Sequence, residues 1–346
     1  MSTPERSPFT GVATGVGSWP GTDPREAAAT IVGELPELPH LVELPGRGVG
    51  ADMIGRASAL LVDLQFETTT RGYRIAPRPG RVSRRAHDYL REDLDAFEEA
   101  WETAGRTSDA ATVKLQSVGP LTLASEVELA NGHRVLTDPG AVRDFAESLA
   151  EGLREHVAEV RRRLGVDIVV QLDEPSANTV LSGSVQGVTG LEKIRALPAP
   201  EALDVLDTVA AGVGAPVAVH TCAAAPPLEL LRRSAAVAIG LDVSLLTARD
   251  LDGVGELLDA DKHLLLGLVP TSAPQVRPTW RDVAEPAVTV VDRLGFPRST
   301  LRDRVGVTPV CGLAGASQDW ARAAVRLCAD AVQAFAEEAE TLTFSS

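Results

Sequence analysis

Short runs of apolar, mostly β-branched residues recur along the chain and alternate with longer stretches of helical periodicity. A continuous run of Val, Ile and Leu is typical of a strand buried on both faces, as in a parallel sheet. Several of the runs end at a polar residue or at Gly or Pro. Eight such runs occur, and in chain order they occupy residues 13–20, 40–46, 112–120, 167–175, 216–222, 237–244, 263–270 and 305–312.

The stretches between the runs carry the signals of helices. Residues 140–164 repeat apolar side chains at helical spacing, with Asp138 and Pro139 before them and Gly165 after them. An Asp before a Pro marks a helix start, and a Gly marks its end. Residues 317–339 carry a second apolar stripe. Eight strands with intervening helices predict an α/β fold, a single (β/α)8 TIM barrel rather than a doubly wound sheet.

The segment between the second and third runs is too long for one crossover connection. Residues 46–111 predict an excursion after the second strand, with a helix at 51–65, a hairpin around 72–80 and an acidic helix at 87–104. No Gly/Ser-rich linker interrupts the chain. We therefore predict one catalytic domain over residues 1–346.

The charge and the hydropathy pattern exclude several classes of protein. A net charge of −15 argues against non-specific binding to nucleic acid or anionic membranes, because like charges repel. No apolar run approaches the roughly 20 residues of a membrane span, and the N-terminal residues lack the apolar centre of a signal peptide. We expect a cytoplasmic protein with no nucleic-acid or membrane partner, in which three widely separated cysteines are thiols or metal ligands.

Residue types that bind metals occur where several predicted strands end, which is where the active site of such a barrel lies. His220 and Cys222 are two apart on one strand, so both side chains point to the same face. Cys311 ends the last strand, and Asp242 lies on the sixth. Imidazole, thiolate and carboxylate all bind zinc, but buried core residues give the same pattern. Cys328, within the final helix, is expected to be an inert core thiol.

Two further motifs at strand ends have both a functional and a structural interpretation. Asp173 and Glu174 are adjacent, so only one carboxylate enters the barrel mouth, where it could hold a substrate ammonium group. The structural alternative is a helix N-cap or a salt bridge to Arg. Gly17 and Ser18 either offer N–H groups and a hydroxyl to a carboxylate or form a turn into a helix capped by Asp23.

Three histidines lie in polar surroundings in the sequence. We expect His87, His133 and His156 to lie on the surface.

Five motifs, in this order, resemble the cobalamin-independent methionine synthases, and in particular their C-terminal catalytic barrel. The motifs are TGVGSWP, VGPLT, QLDEP, HTC and TPVCGL. The resemblance spans roughly residues 12–336. It implies a zinc-dependent methyltransferase that moves a methyl group to a thiol, with homocysteine as the expected acceptor and methionine as the product.

The resemblance also implies the ligands of the metal. The zinc ligands of the family are a His-x-Cys pair, a Glu and a late Cys, which His220, Cys222 and Cys311 match. Asp242 is the carboxylate nearest to the place of the family's Glu. An Asp is one methylene shorter than a Glu, so its reach to the metal is open.

Substrate-binding residues follow from the same resemblance. The Gly-Ser pair of the family contacts the amino-acid substrate, which implicates Gly17 and Ser18. The carboxylate of its DEP motif and a Glu after its second strand hold the substrate amine, which implicates Asp173 and Glu43. Asp173 is thereby the expected catalytic carboxylate.

Two departures from the family pattern affect the expected donor. We expect a short, stand-alone form similar to the archaeal-type proteins, without the N-terminal second barrel of the full-length family. The donor is then either a methyl-folate or a methyl-corrinoid, the latter carried by a corrinoid protein. The family's catalytic His after the seventh strand is missing from residues 267–274, and Ser272 lies nearest to its place.

Three alternatives stay open. The first alternative to the homocysteine methyltransferase is a methyltransferase for a different thiol with a corrinoid donor. The second is a uroporphyrinogen-decarboxylase-like enzyme, and the third is a non-catalytic zinc- or thiol-binding barrel. The group of Cys and His residues argues against the second of these.

Overall fold

The computed structural model describes residues 7–106, 111–188 and 193–342. Residues 1–6, on which part of the signal-peptide argument rests, and residues 107–110, at the end of the predicted excursion, lie outside the described residues. Within the described ranges, no helix combines the length and the apolar character needed to cross a bilayer.

The helices of the described chain vary from five to 26 residues. They are α1 (Pro24–Glu34), α2 (Met53–Ala57), α3 (Arg81–Thr103), α4 (Pro120–Glu126), α5 (Pro139–Leu164), α6 (Ala177–Ser182), α7 (Ala199–Gly212), α8 (Leu228–Arg233), α9 (Ala248–Asp259), α10 (Trp280–Leu294), α11 (Ser299–Arg304) and α12 (Gln318–Glu338). Single turns of 3-10 helix lie at Pro45–Arg47, Val135–Thr137 and Val243–Leu245.

The strands of the described chain form two sheets. They are β1 (Gln65–Thr69), β2 (Gly72–Ala76), β3 (Thr112–Val118), β4 (Val127–Glu128), β5 (Asp167–Asp173), β6 (Val217–Thr221), β7 (Ala238–Asp242), β8 (His263–Val269) and β9 (Val305–Pro309). Strands β3, β5, β6, β7, β8 and β9 are neighbours in this order in a parallel sheet, and β1, β2 and β4 form a small second sheet. The predicted α/β fold with a parallel sheet is confirmed, and the last six predicted strands are its members.

The first two of the eight predicted strands carry only isolated bridges among the described residues, so the structure shows six of the eight strands in the parallel sheet. Each makes only single parallel bridges, from Ala13 to Val307 of β9 and from His40 to Lys114 of β3. A third bridge joins the two segments to each other. Pro39 precedes the second segment, Pro45 lies within it, and glycines interrupt the first, and both residue types weaken a ladder. The two segments therefore lie between the outer strands of the six-stranded sheet, joined to it by isolated bonds.

The elements of the excursion differ in detail from the prediction. Only five residues of the predicted helix at 51–65 are helical, as α2. The hairpin is formed by β1 and β2 and therefore lies earlier than 72–80, because the turn falls between Thr69 and Gly72. Helix α3 begins at Arg81 rather than at 87, since the Arg-rich turn that follows Gly80 is helical as well.

Helix boundaries follow the residues that predicted them. The side chain of Asp23 accepts hydrogen bonds from the N–H groups of Arg25 and Glu26 and so caps α1. Asp138 caps α5 in the same way, and Gly165 ends that helix in the left-handed conformation at φ 65°. A side chain at that φ would be strained, which is why glycine follows the helix.

The strand ends of the parallel sheet are aligned, and its inner face changes from apolar to polar along the strands. Val118 pairs with Asp173, and Asp173 pairs with His220. The inner face of β5 begins with Val169, which belongs to a separate apolar cluster. The other buried members of that cluster are Phe9, Leu38, Ala218, Ala238 and Leu265. By strand alternation, Gln171 and Asp173 follow on the same face, so polar groups collect where the strands end.

Candidate active site

A cavity of about 230 Å³ lies at the carboxyl ends of the parallel strands. It contains six of the residues singled out from the sequence, which are Ser18, Glu43, Asp173, His220, Cys222 and Cys311. The remaining lining residues are Val16, Pro45, Met53, Pro175 and Gly312. Residues more than 290 positions apart in sequence therefore meet in one small space.

Two thiols lie side by side in the cavity. Cys222 follows β6, Cys311 follows β9, and both are free. Their Sγ atoms are 3.0 Å apart, much longer than a disulfide bond of about 2.05 Å. The hydrogen bond between them lowers the pKa of Cys311 and raises that of Cys222, and the nearby imidazole of His220 adds to the lowering.

The imidazole of His220 has one engaged nitrogen and one free nitrogen. Its Nδ1 lies 2.9 Å from Oδ1 of Asp173. Its Nε2 is buried and makes no hydrogen bond with any described residue. Burial lowers the pKa of His220, but the hydrogen bond and the charge of Asp173 outweigh it, so that the pKa is raised. A buried unpartnered nitrogen beside two thiols is available to a ligand.

Asp173 and Glu174 point in opposite directions, as their adjacency predicts. Oδ1 of Asp173 accepts from Nε2 of Gln171 at 2.8 Å as well as from His220. Its Oδ2 has no partner among the described residues. Glu174 instead accepts from the N–H groups of Leu121 and Thr122, each at 2.8 Å, at the start of α4. One carboxylate thus lines the cavity and the other caps a helix.

Glu43 is the second carboxylate of the cavity and begins a buried chain of charges. Its Oε1 lies 3.4 Å from Nε of Arg56, which in turn contacts Asp93 at 2.5 Å. Arg47 contacts the same Asp93 at 2.7 Å. Burial raises the pKa of Glu43 to about 6, with Arg56 acting in the opposite direction. Near neutral pH this carboxylate therefore exchanges a proton easily.

Gly17 and Ser18 lie where the backbone is closely packed. A Cβ at Gly17 would lie 2.7 Å from Cγ of Gln116. A Cβ at Gly312 would lie 2.1 Å from Oγ of Ser18. Both glycines are therefore required for the approach of the segments, and the Ser18 hydroxyl lies directly beside the loop that carries Cys311.

Three of the predicted site residues do not line the cavity, namely Gly17, which precedes the lining residue Ser18, and Asp242 and Ser272. Oδ1 of Asp242 accepts from the N–H of Ser244 at 2.9 Å and from its hydroxyl at 2.6 Å, so this carboxylate caps the 3-10 turn that follows β7. Ser272 is exposed in the loop after β8. Across the described ranges, no three His, Cys, Asp or Glu side chains are arranged as ligands around one point.

The sequence reasoning overlooked two inward-facing polar residues below the cavity, Lys114 and Gln171. Lys114 is fully buried, and its Nζ donates to Oε1 of Gln171 at 2.9 Å. The sequence signal for Lys114 is a lysine within the apolar run TVKLQSV, two residues before Gln116 and therefore on the same face of the strand.

Comparison with known families assigns the chain to one of them. The family described as "Cobalamin-independent synthase, Catalytic domain" matches residues 11–334. The chain belongs to this family. The recognition made from the five motifs is thereby confirmed. The description of the family gives no support to a corrinoid protein as partner.

Solved structures of the same fold include a B12-independent methionine synthase from Shewanella sp. W3-18-1 in complex with selenomethionine. It is 14% identical, with a TM-score of 0.62, and the match covers 96% of this chain and 100% of that one. At this identity the likeness shows the fold alone. No curated protein matches the sequence.

Two mannanase structures align over similar lengths. One is the GH113 β-mannanase from Alicyclobacillus acidocaldarius, with a TM-score of 0.42, 12% identity and coverage of 94% of this chain and 98% of that one. The other is a GH113 β-1,4-mannanase, with a TM-score of 0.43, 10% identity and coverage of 95% and 99%. These TM-scores are too low to bear on function.

Proposed function

We propose that this chain is a zinc-dependent S-methyltransferase that moves a methyl group from a methyl-folate to the thiol of homocysteine, giving methionine. The observation that carries the proposal is the meeting of two thiols, an unpartnered imidazole nitrogen and two carboxylates in one cavity. Membership in the cobalamin-independent synthase family supports the reaction class. We infer a cytoplasmic location, where thiols stay reduced.

We further propose that the architecture is a complete (β/α)8 barrel and that residues 1–346 form one catalytic domain with an excursion at 46–111. The single bridges at Ala13 and His40 support closure, because they join the first two segments to the two outer strands of the sheet. Backbone hydrogen bonds at 2.9 Å from Trp19 to Glu43 and from Lys114 to Pro39 add to this support.

The donor atoms in the cavity fit zinc in kind. Imidazole nitrogen and thiolate sulfur are ligands that zinc prefers, and catalytic sites keep three protein ligands and one open position. His220, Cys222 and Cys311 would hold the ion, with the open position left for the substrate sulfur. A bound zinc supplies a lowered thiol pKa, so that the substrate sulfur reacts as a thiolate.

Asp242 takes no part in this proposal as a direct ligand. Its carboxylate would first have to release Ser244, from which it accepts two hydrogen bonds. Ser272, exposed outside the cavity, is assigned no catalytic step.

The two carboxylates of the cavity position the amino-acid end of the substrate. Oδ2 of Asp173 and the carboxylate of Glu43 accept hydrogen bonds from the ammonium group, while Ser18 and the backbone at Gly17 contact the substrate carboxylate. A volume of about 230 Å³ is below the roughly 300–1,000 Å³ of pockets for drug-sized ligands, which suits a small amino acid. Fixing the substrate in this way makes the attack of its sulfur on the donor methyl effectively unimolecular.

The test of the proposed function is removal of one sulfur ligand. We expect Cys311→Ser to lose stoichiometric zinc and to reduce methyl transfer from methyl-folate to homocysteine to background, because a serine hydroxyl is a far weaker ligand than a thiolate. Metal content is measured by mass spectrometry and methionine by chromatography. The matched control is Cys328→Ala, since Cys328 is fully buried in α12 and does not line the cavity.

Undiminished transfer by wild-type protein freed of metal would refute zinc dependence. Stoichiometric zinc in the wild type without turnover of methyl-folate and homocysteine would instead favour a non-catalytic zinc-binding barrel.

A further inference from the structure

Lys114 is a charged side chain buried beneath the cavity. It is one of three lysines in the sequence, lies on β3 and is 0% exposed. Burying an ammonium group costs several kcal/mol unless other groups compensate for it. Burial lowers the pKa of Lys114 to about 8, with Asp173 and Glu43 acting in the opposite direction. At pH 7 the side chain is therefore still protonated, which raises the question of what the charge does there.

A continuous series of hydrogen bonds leads from Lys114 to the cavity. Nζ of Lys114 donates to Oε1 of Gln171 at 2.9 Å and to the carbonyl of Val16 at 3.1 Å. Nε2 of Gln171 donates to Oδ1 of Asp173 and to the same Val16 carbonyl, both at 2.8 Å. The same Oδ1 lies 2.9 Å from Nδ1 of His220. All four side chains are buried.

The donors and acceptors in this series of hydrogen bonds can be assigned in only one consistent way. An ammonium group donates and never accepts, so the carbonyl oxygen of Gln171 must face Lys114. The NH₂ of Gln171 then faces Asp173, whose Oδ1 must accept. Since that same oxygen contacts His220, the proton of the imidazole lies on Nδ1 and the lone pair on Nε2.

We propose that Lys114 is a positioning residue that, through Gln171 and Asp173, fixes His220 in the tautomer with a bare Nε2, in a ring that lines the same cavity as the two thiols. The lysine acts by orientation and touches none of the reacting atoms. Its charge holds the amide of Gln171 in one of its two orientations. Without it, the carbonyl oxygen of Gln171 is left buried without a donor, and the side chain that donates to Asp173 beside His220 is no longer anchored. The consequence for zinc affinity rests on the proposed function, but the tautomer itself does not.

The test compares two lysines that are replaced by the same residue. Lys114→Met keeps the length of the side chain and removes the donor. Lys262→Met is the matched control, because Nζ of Lys262 also donates to two backbone carbonyls, those of Ser234 and Ala236 at 2.6 and 2.7 Å, but it lies at the start of β8, away from the cavity. The control measures how far the loss of a lysine that donates to backbone carbonyls disturbs the protein in general.

The readout is the ¹⁵N NMR spectrum of the His220 ring in metal-free protein, followed to its deprotonated limit and assigned by comparison with His220→Gln. We expect the wild type and Lys262→Met to carry the proton on Nδ1 alone and Lys114→Met to show a mixture of tautomers. In a second measurement, Lys114→Met should bind Zn²⁺ with a Kd about 10–100-fold higher, the usual effect of disturbing a partner of a ligand.

A wild-type His220 spectrum in Lys114→Met would overturn the proposal. If Lys114→Met does not fold, Gln171→Met serves instead, since its thioether cannot donate to Asp173, and an unchanged ring spectrum would overturn the proposal equally. A shifted tautomer in a protein whose wild type transfers no methyl group would support the role of Lys114 and refute the proposed function alone.

Discussion

Asp173 and Glu174 are neighbours in the chain, yet at the scale of single residues they have unrelated roles. Asp173 lies in the cavity with one oxygen engaged by Gln171 and His220. Glu174 is fully buried on the other side of the strand, and its carboxylate accepts the N–H groups that begin α4. Strand alternation separates them. Because of this difference, we expect replacement of Asp173, rather than of Glu174, to change substrate binding.

The residue-scale prediction concerns Asp173→Asn. Its Oδ1 still has to accept from Gln171 and His220, so the new NH₂ faces the cavity, where it cannot accept from a substrate ammonium group. Loss of a charged hydrogen bond costs about 1.5–3 kcal/mol, so we expect the KM for homocysteine to rise about 10–100-fold, with a smaller change in kcat. Steady-state kinetics with zinc analysis measures both.

The control for this variant lies on the same strand. Asp167→Asn changes an exposed carboxylate at the opposite end of β5 and should leave KM unchanged. An unaltered KM in Asp173→Asn would contradict the role of Asp173 in holding the substrate amine.

At the scale of elements, a glycine permits the residue that follows β5 to pack closely against the start of α4. Gly119 precedes α4, and a Cβ at this position would lie 2.3 Å from Oε1 of Glu174. Glu174 cannot move aside, because it is fully buried and accepts three hydrogen bonds, the third from the Thr122 hydroxyl at 2.6 Å. Close packing of a carboxylate against a helix start therefore determines the residue at 119.

The element-scale prediction is that Gly119→Ala destabilises the fold. Forcing extra volume into a packed site costs about 1–3 kcal/mol, and here it also displaces the carboxylate that satisfies the first N–H groups of α4. Gly33→Ala is the control, since nothing lies within 4 Å of its Cβ position in α1, and it should stabilise by about 0.5–1 kcal/mol. Urea unfolding followed by circular dichroism gives both values, and equal stabilities would disprove the packing argument.

At the scale of the whole molecule, ionisable groups inside the protein link its stability to pH. The sequence predicts His156 on the surface, but it is buried on α5 and only 7% exposed, because it follows Leu149 and Leu153 on the apolar face of that helix. Burial lowers the pKa of His156 to about 3, and the charges of Arg56 and Arg163 contribute. Buried carboxylates act in the opposite sense, since burial raises the pKa of Glu174 to about 7.

The prediction at this scale compares the wild type with His156→Gln over a range of pH. A histidine whose pKa is lowered in the folded state contributes stability above its unfolded pKa of about 6.5 and loses it as the pH falls towards 3. Below about pH 6 the free energy of unfolding of the wild type should therefore fall by about 1.4 kcal/mol per pH unit relative to that of the variant. Above pH 7 the difference between the two proteins should stay constant. Urea unfolding at pH 4.5–8 measures the difference, in which the contributions of the carboxylates cancel.

A surface histidine provides the comparison for this effect. His133→Gln changes an exposed side chain. The curve of its free energy of unfolding against pH should run parallel to that of the wild type. Parallel curves for His156→Gln as well would contradict a depressed pKa at His156.

The sequence by itself determined the periodic elements and the identity of the cavity residues. Six parallel strands, the caps at Asp23 and Asp138 and the left-handed Gly165 follow from local rules of burial, capping and backbone freedom. Strand alternation alone places His220 and Cys222 on one face. The five motifs identified the family, because they preserve strand ends that are far apart in sequence.

Only the tertiary structure decided which of these groups meet, because contact between side chains on different strands depends on register and on what the backbone between them permits. It brought Cys311 to 3.0 Å from Cys222, left Asp242 hydrogen-bonded to Ser244 and held the first two segments by single bridges. Lys114 is the clearest case. The sequence shows a lysine at this position. The series of hydrogen bonds that connects it with His220 forms only when β3, β5 and β6 lie side by side.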